Sequence, residues 1–143
     1  MLPSQQAVNL VKSFEGCSLT AYTDSVGVLT IGYGHTGGVR PGQTISQDQA
    51  DAFLVNDLAT ASAAVAQRVE VPLNQNQFDA LTSFVFNVGG GAFHDSTMLR
   101  LINQRNFEGA AAEFERWRYA GGRVLPGLLR RRIAERTLFL RQA

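Results

Sequence analysis

Cysteine is almost missing from this 143-residue chain, and Cys17 is the only one. A single thiol closes no intramolecular disulfide and builds no zinc cluster, so the fold must hold by packing and no metal or other cofactor is expected. No stretch approaches the roughly 18 apolar residues of a membrane span. The opening segment, Met1 to Gly16, is polar and amphipathic, without a basic stretch leading into an apolar run, so no secretory signal is read there. Internal repeats, low-complexity tracts and long linkers are also lacking. Together these absences point to a soluble chain made in the cytoplasm.

What is present is a globular composition. With 45% hydrophobic and 17% charged residues, the chain has enough apolar material for one compact domain with a real core, and it is not a disordered tail. Charge is unevenly spread. Residues 1–99 carry Lys12, Arg40 and Arg68 against eight acids, a net of −5, whereas residues 100–143 carry ten arginines against four glutamates, a net of +6. The C-terminal third is therefore expected to attract polyanions.

The order of elements follows from periodicity and capping signals. Ser4 is placed to cap a first helix whose Ala7, Val8, Val11 and Phe14 recur at helical spacing until Gly16, which puts Glu15 in its last turn. Ser18 to Tyr33 is rich in Thr, Val, Tyr and Gly and reads as a small hairpin turning at Ser25-Val26-Gly27, with Gly32, Gly34, Gly37 and Gly38 at its exit. Ser46 with Gln49 forms a capping box before a long helix to Arg68. Asn74 caps a strongly apolar helix carrying Phe78, Leu81, Phe84 and Val85, expected to end at Gly89-Gly90-Gly91 and to centre the larger core. Asp95 or Ser96 opens a short helix through Ile102. Phe107 to Tyr119 reads as another, closed by Gly121-Gly122, with Phe114, Trp117 and Tyr119 expected in the core, and Pro126 sits in the first turn of the last helix. The fold class expected is α+β, mainly α, with one small β element near the start.

Chemistry concentrates in Glu15, Asp24 and Thr30, spaced E-x8-D-x5-T across a helix end and the hairpin. If position 24 pairs with 28 and 22 with 30, Asp24 and Thr30 become diagonal neighbours with room for one water between them. Glu15 at a helix C-terminus faces the negative end of the dipole, which favours its protonated form and suits it to give a proton. Inverting glycosidic cleavage needs such an acid on one side of the bond and a held water on the other.

These residues lie in longer motifs. Phe14-Glu15-Gly16, Ala21-Tyr22-Thr23-Asp24 and Leu29-Thr30-Ile31-Gly32-Tyr33-Gly34-His35-Thr36-Gly37 resemble the phage-type lysozymes, glycoside hydrolase family 24. The resemblance continues through Ser83 to Gly89, Ser96 to Arg100, and Ala120-Gly121-Gly122 to Leu128 with the arginines after it, in order over nearly the whole chain. It is greatest to the soluble endolysins of tailed phages and prophages. It implies hydrolysis of the β-1,4 bond between N-acetylmuramic acid and N-acetylglucosamine in peptidoglycan, usually with inversion and with no cofactor. Carried over by position, Glu15 is the general acid, while Asp24 and Thr30 activate or position the water in a division the motif leaves open. The implied fold is a single lysozyme-like domain over 1–143: a small N-terminal lobe with the hairpin (about 1–45), a connecting helix (46–68) and a helical C-terminal lobe (69–143), with the sugar chain between the lobes. Gly34 is the better candidate for substrate contact; His35 beside it is read as a structural partner near the site, with a substrate contact as the second possibility.

Arg130, Arg131 and Arg132 fan around the last helix and read as a solvated basic face. The resemblance lets one of them, unspecified, reach Glu15 across the cleft. Three other readings compete: a wall-binding module of the same fold without catalysis, a lytic transglycosylase, and an Arg-rich helical protein that binds membranes or nucleic acid. The presence of all three of Glu15, Asp24 and Thr30 favours hydrolysis, and no nucleic-acid motif accompanies the arginines. The basic last helix, with Leu129, Ile133, Arg136 and Leu140, is a candidate contact for anionic outer-membrane lipid. A monomer that reaches the periplasmic wall only after a holin opens the membrane completes the expectation.

Overall fold

A computed structural model describes residues 1–120 and 122–142. Its elements run α1 (Gln5–Glu15), β1 (Ser18–Thr23), β2 (Leu29–Gly32), α2 (Gln47–Arg68), α3 (Gln75–Val88), α4 (Gly90–His94), α5 (Thr97–Asn103), α6 (Phe107–Glu113), β3 (Tyr119–Ala120), β4 (Arg123–Val124) and α7 (Pro126–Leu140). The class is α+β and mainly α, as the periodicity predicts.

Local chemistry explains most boundaries. Ser46 and Gln49 form the reciprocal capping box at the start of α2, and Asn74 with Gln77 does the same for α3. Ser96, of the two candidates, caps α5, and Pro126 occupies the first turn of α7. In the hairpin Tyr22 pairs with Thr30 and Thr23 with Leu29, and the Asp24 N–H donates to the Val28 carbonyl at 2.9 Å, the register expected from the loop length. A bulge between Ser18 and Tyr22 frees the outer edge of β1 to pair with residues 43–45, where Thr20 bridges Thr44.

α3 lies at the centre of the larger core. Phe78, Leu81, Phe84 and Val85 are buried, and Phe84 meets Phe114 and Trp117 edge-on with centroids 5.4 and 5.5 Å away. A smaller cluster of Val11, Leu54 and Leu58 sits under the hairpin side, and α2 contributes to both, adding Ala61 and Val65 to the larger.

Gly89 (φ 96°) ends α3 as expected, and the chain then restarts as the short helix α4, in which Phe93 is fully buried. The expectations for residues 107–124 fail. The helix expected over 107–119 stops at Glu113 and tightens into a 3-10 turn at Phe114–Arg116; Phe114 and Trp117 pack inward, while Tyr119 is 53% exposed and not in the core. β3 and β4 form a second antiparallel pair, Tyr119 with Val124 and Ala120 with Arg123, closed by Leu125 N–H donating to the Arg118 carbonyl. Two β elements thus stand among the described residues, where one was expected. Of the glycine pair read as a helix stop, Gly122 precedes β4 with φ 78°, a left-handed conformation that suits glycine, and Gly121 lies outside the described residues.

Ser4 stands at the N-cap position of α1, yet its hydroxyl does not bond the helix. It donates to Asp79 of α3, a fully buried carboxylate that also accepts from the Ser4 N–H (3.0 Å), Gln6 Nε2 (3.0 Å) and Gln75 Nε2 (2.8 Å). Asp79→Ala would leave these half-buried donors without their acceptor and hollow out the buried position between α1 and α3. We expect it to cost about 2–4 kcal/mol in urea denaturation with little change in m-value.

Candidate active site

Glu15 is the last residue of α1, and Gly16 (φ 64°) turns the chain away behind it. Its Oε2 accepts from Arg131 Nη1 at 2.6 Å, so α7 supplies the cation that the sequence left unassigned. The Glu15 side chain is 21% exposed and that of Arg131 only 4%, which leaves the carboxylate reachable and its partner enclosed. The guanidinium lies near the rings of Phe14 and Phe86, 5.8 and 6.0 Å from their centroids.

The hairpin exit meets Glu15 from the other side. Ile31 and His35 exchange two backbone hydrogen bonds of 2.9 Å around Gly32-Tyr33-Gly34, a turn that needs φ of 65° at Gly32 and 75° at Gly34. A Cβ at position 34 would stand 2.6 Å from Glu15 Oε1. Gly34 is therefore a close-approach residue for the acid itself, and it also lines an open cavity of about 450 Å³ with His35, Asp57, Thr60, Phe86 and Gly89.

Asp24 sits at the hairpin tip, where its Oδ1 accepts from the N–H groups of Val26 (2.9 Å) and Val28 (2.8 Å). No described residue donates to its Oδ2. Thr30, only 4% exposed, donates its hydroxyl proton to the Val28 carbonyl at 3.0 Å, which leaves its oxygen lone pairs free to accept. His35 is committed on both ring nitrogens, Nδ1 to Asp57 Oδ2 and Nε2 to the Gly37 carbonyl, each at 2.8 Å, and its ring stacks on Phe53 at 4.2 Å. Both ring nitrogens are thus held by groups of the protein itself.

The solvated basic face does not exist as expected. Arg130 is exposed, but Arg131 and Arg132 are 3% and 0% exposed, drawn in by Glu135, which follows them on α7 at helical spacing and is itself fully buried. Glu135 Oε2 accepts from Ser83 Oγ at 2.6 Å and from Arg131 Nε and Arg132 Nη2 at 3.3 Å. Arg132 Nε is 2.8 Å from Glu135 Oε1 but out of line for a hydrogen bond; its guanidinium also donates to Asn87 and covers the Phe84 ring. Burial is the main influence on both groups: it pushes the Glu135 carboxyl up, against the pull of Arg132 and Arg131, and the Arg132 guanidinium down, against Glu135. The R-R-x-x-E spacing was the sequence signal for this cluster.

The sequence profile of the phage lysozyme family matches residues 12–135. The chain belongs to that family. This lysozyme is 46% identical to an endolysin of Acyrthosiphon pisum secondary endosymbiont phage 1 over 95% of its own length and 96% of the relative's. It is also 46% identical to an endolysin of Bacillus phage B103, of which it spans about half, 53% against 96% of itself. Among solved structures it superposes on the muramidase domain of SpmX from Asticaccaulis excentricus with a TM-score of 0.91 and 43% identity, covering 97% of each chain. It is accordingly a glycoside hydrolase of the lysozyme type.

Gly34→Ala tests the close approach. The added methyl displaces the Glu15 carboxylate and strains a positive φ, so we expect kcat to fall at least about tenfold while stability falls by only about 1 kcal/mol, read by kinetics beside thermal unfolding.

Proposed function

We propose that this lysozyme hydrolyses the β-1,4 bond between N-acetylmuramic acid and N-acetylglucosamine in bacterial peptidoglycan, with Glu15 as general acid, Asp24 and Thr30 on the side of the water, and inversion at the anomeric carbon. The observation that carries the reading is the Glu15 carboxylate, fixed by Arg131 on one oxygen and set against Gly34 on the other, at the edge of an open cleft. In the reaction Glu15 gives its proton to the leaving glycosidic oxygen as the C1–O bond breaks. The water oxygen attacks C1 from the opposite face, one O–H donating to Thr30 Oγ1 and the other proton passing to the free Oδ2 of Asp24. One face gains the water and the other loses the sugar, so the new reducing end has inverted configuration.

The wider expectations belong to the same proposal: one lysozyme-like domain acting as a monomer without a cofactor, with Gly34 and His35 bordering the sugar, and action on the wall after release through a holin-like lesion for lysis of the host. No helix among the described residues is long and apolar enough to cross a membrane. Release of active enzyme from cells that lack any holin would overturn the delivery step. α7 turns Leu138 and Phe139 into the core and leaves Ile133 and Leu140 about half exposed, so any contact with anionic lipid rests on those two residues and the outer arginines.

Digestion of purified peptidoglycan followed by mass spectrometry is the deciding experiment. Free reducing muramic acid ends, abolished in Glu15→Gln, are expected; anhydro ends would make the enzyme a transglycosylase. Early proton NMR of the products should show the α-anomer first. Asp24→Asn should lower kcat by roughly 10²-fold or more with KM little changed, as removal of a general base does.

A further inference from the structure

The guanidinium that touches Glu15 is planar and rigid, and each of its three nitrogens meets a different partner. Nε donates to Glu135 Oε2 at 3.3 Å, Nη2 to the Ser83 carbonyl at 3.3 Å, and Nη1 to Glu15 at 2.6 Å. In a planar fork two fixed nitrogens determine the third, so whatever holds Nε and Nη2 decides where Nη1 points. Both holders come from outside the cleft. Glu135 is fully buried, and its own carboxylate is oriented by the Ser83 hydroxyl and by Arg132.

Charge points the same way. Without Glu135, the buried Arg131 and Arg132 would repel each other and Arg131 would keep Glu15 as its one anionic partner among the described residues. With Glu135 between them, the charges alternate from Glu15 through Arg131 and Glu135 to Arg132. Burial alone opposes the ionised forms of Glu135 and Arg132, and a fully buried ion pair is often no more stable than an apolar pair of the same size. The stability of the fold is therefore a weak reason for this glutamate.

We propose that Glu135 is a positioning residue for glycosidic cleavage, holding Arg131, with Ser83, in the one orientation that bridges to Glu15. It touches neither substrate nor reacting atoms, and it rests on the reading of Glu15 as the general acid. Two paired variants of the full chain isolate the role, Arg132→Met with Glu135→Gln and Arg132→Met with Glu135→Met. Both remove one charge of each sign. They differ in whether position 135 still offers Arg131 and Ser83 an acceptor oxygen.

Kinetics on soluble, uncrosslinked glycan strands, with thermal unfolding in parallel, give the outcome. The Gln pair is expected to keep kcat within about threefold of the wild type, and the Met pair to lose about tenfold or more at unchanged KM without a matching loss of stability. Equal kcat in the two pairs would overturn the proposal. Should either pair fail to fold, Ser83→Ala preserves every charge and decides instead: a fall in kcat of about threefold at unchanged KM supports positioning, and wild-type kcat rejects it. Glu15→Gln is measured alongside. An active Glu15→Gln enzyme would sink the acid assignment and this proposal together, whereas an inactive one with indifferent position-135 variants would sink this proposal alone.

Discussion

A row of alternating charges, Glu15, Arg131, Glu135 and Arg132, is the constraint around which the rest of this lysozyme is arranged. Three of the four are 0–3% exposed, and ionised groups taken out of water need opposite charges and hydrogen-bond partners close by. This explains the polar side chains that α3, the central helix of an apolar core, turns toward α7: buried Ser83 serves Glu135 and Arg131, and one turn later the exposed Asn87 accepts from Arg132. It also explains the aromatic surroundings, since the faces of Phe14, Phe84 and Phe86 replace part of the hydration the two arginines give up. The core and the catalytic edge are one construction, because α7 faces both, with Leu138 and Phe139 in the first and Arg131 in the second.

The hairpin brings the other half of the site to that construction. Its register places Asp24 and Thr30, but the exit turn matters as much, because two glycines at positive φ let the backbone pass directly under the Glu15 carboxylate. His35 then anchors the exit to α2 through Asp57 and Phe53. Residues adjacent in sequence thus divide the work: Gly34 admits the acid, and His35 fixes the strand that does so.

Much of this was legible in the chain because the signals were local. Capping boxes at Ser46 and Asn74, the apolar face of α3 and the three-residue hairpin loop all act within a few residues, and their elements stand where expected. The failures were of two kinds. Where a local signal had two meanings the wrong one was taken: the Gly-Gly pair falls between β3 and β4, and the helix expected up to Tyr119 has already stopped at Glu113. Where the completing contact was distant, local reading carried only part of the way. The R-R-x-x-E spacing on α7 already held Glu135 as a partner for Arg131 and Arg132, but the contacts that complete their burial come from far off in the chain: Glu15 and Ser83, 116 and 48 residues from Arg131, and Asn87, 45 residues from Arg132. In the candidate site, the acid and the hairpin pair were visible as residue types, whereas the choice of arginine and the reason for Gly34 required three dimensions.

The buried Asp79 cluster has a further consequence. Gln75 Nε2 donates to the Leu2 carbonyl, and Asn76, next in α3, accepts from Gln6 and donates to the Arg141 carbonyl. Both ends of the described chain therefore converge on the first turn of α3, at the far end of α1 from Glu15, about 16 Å away at 1.5 Å per helical residue. Sequence grafted onto either end emerges from a single pole of the molecule, clear of the acid. Such a layout suits modular extension and circular permutation alike, since joining or lengthening these ends leaves the hydrolytic face untouched.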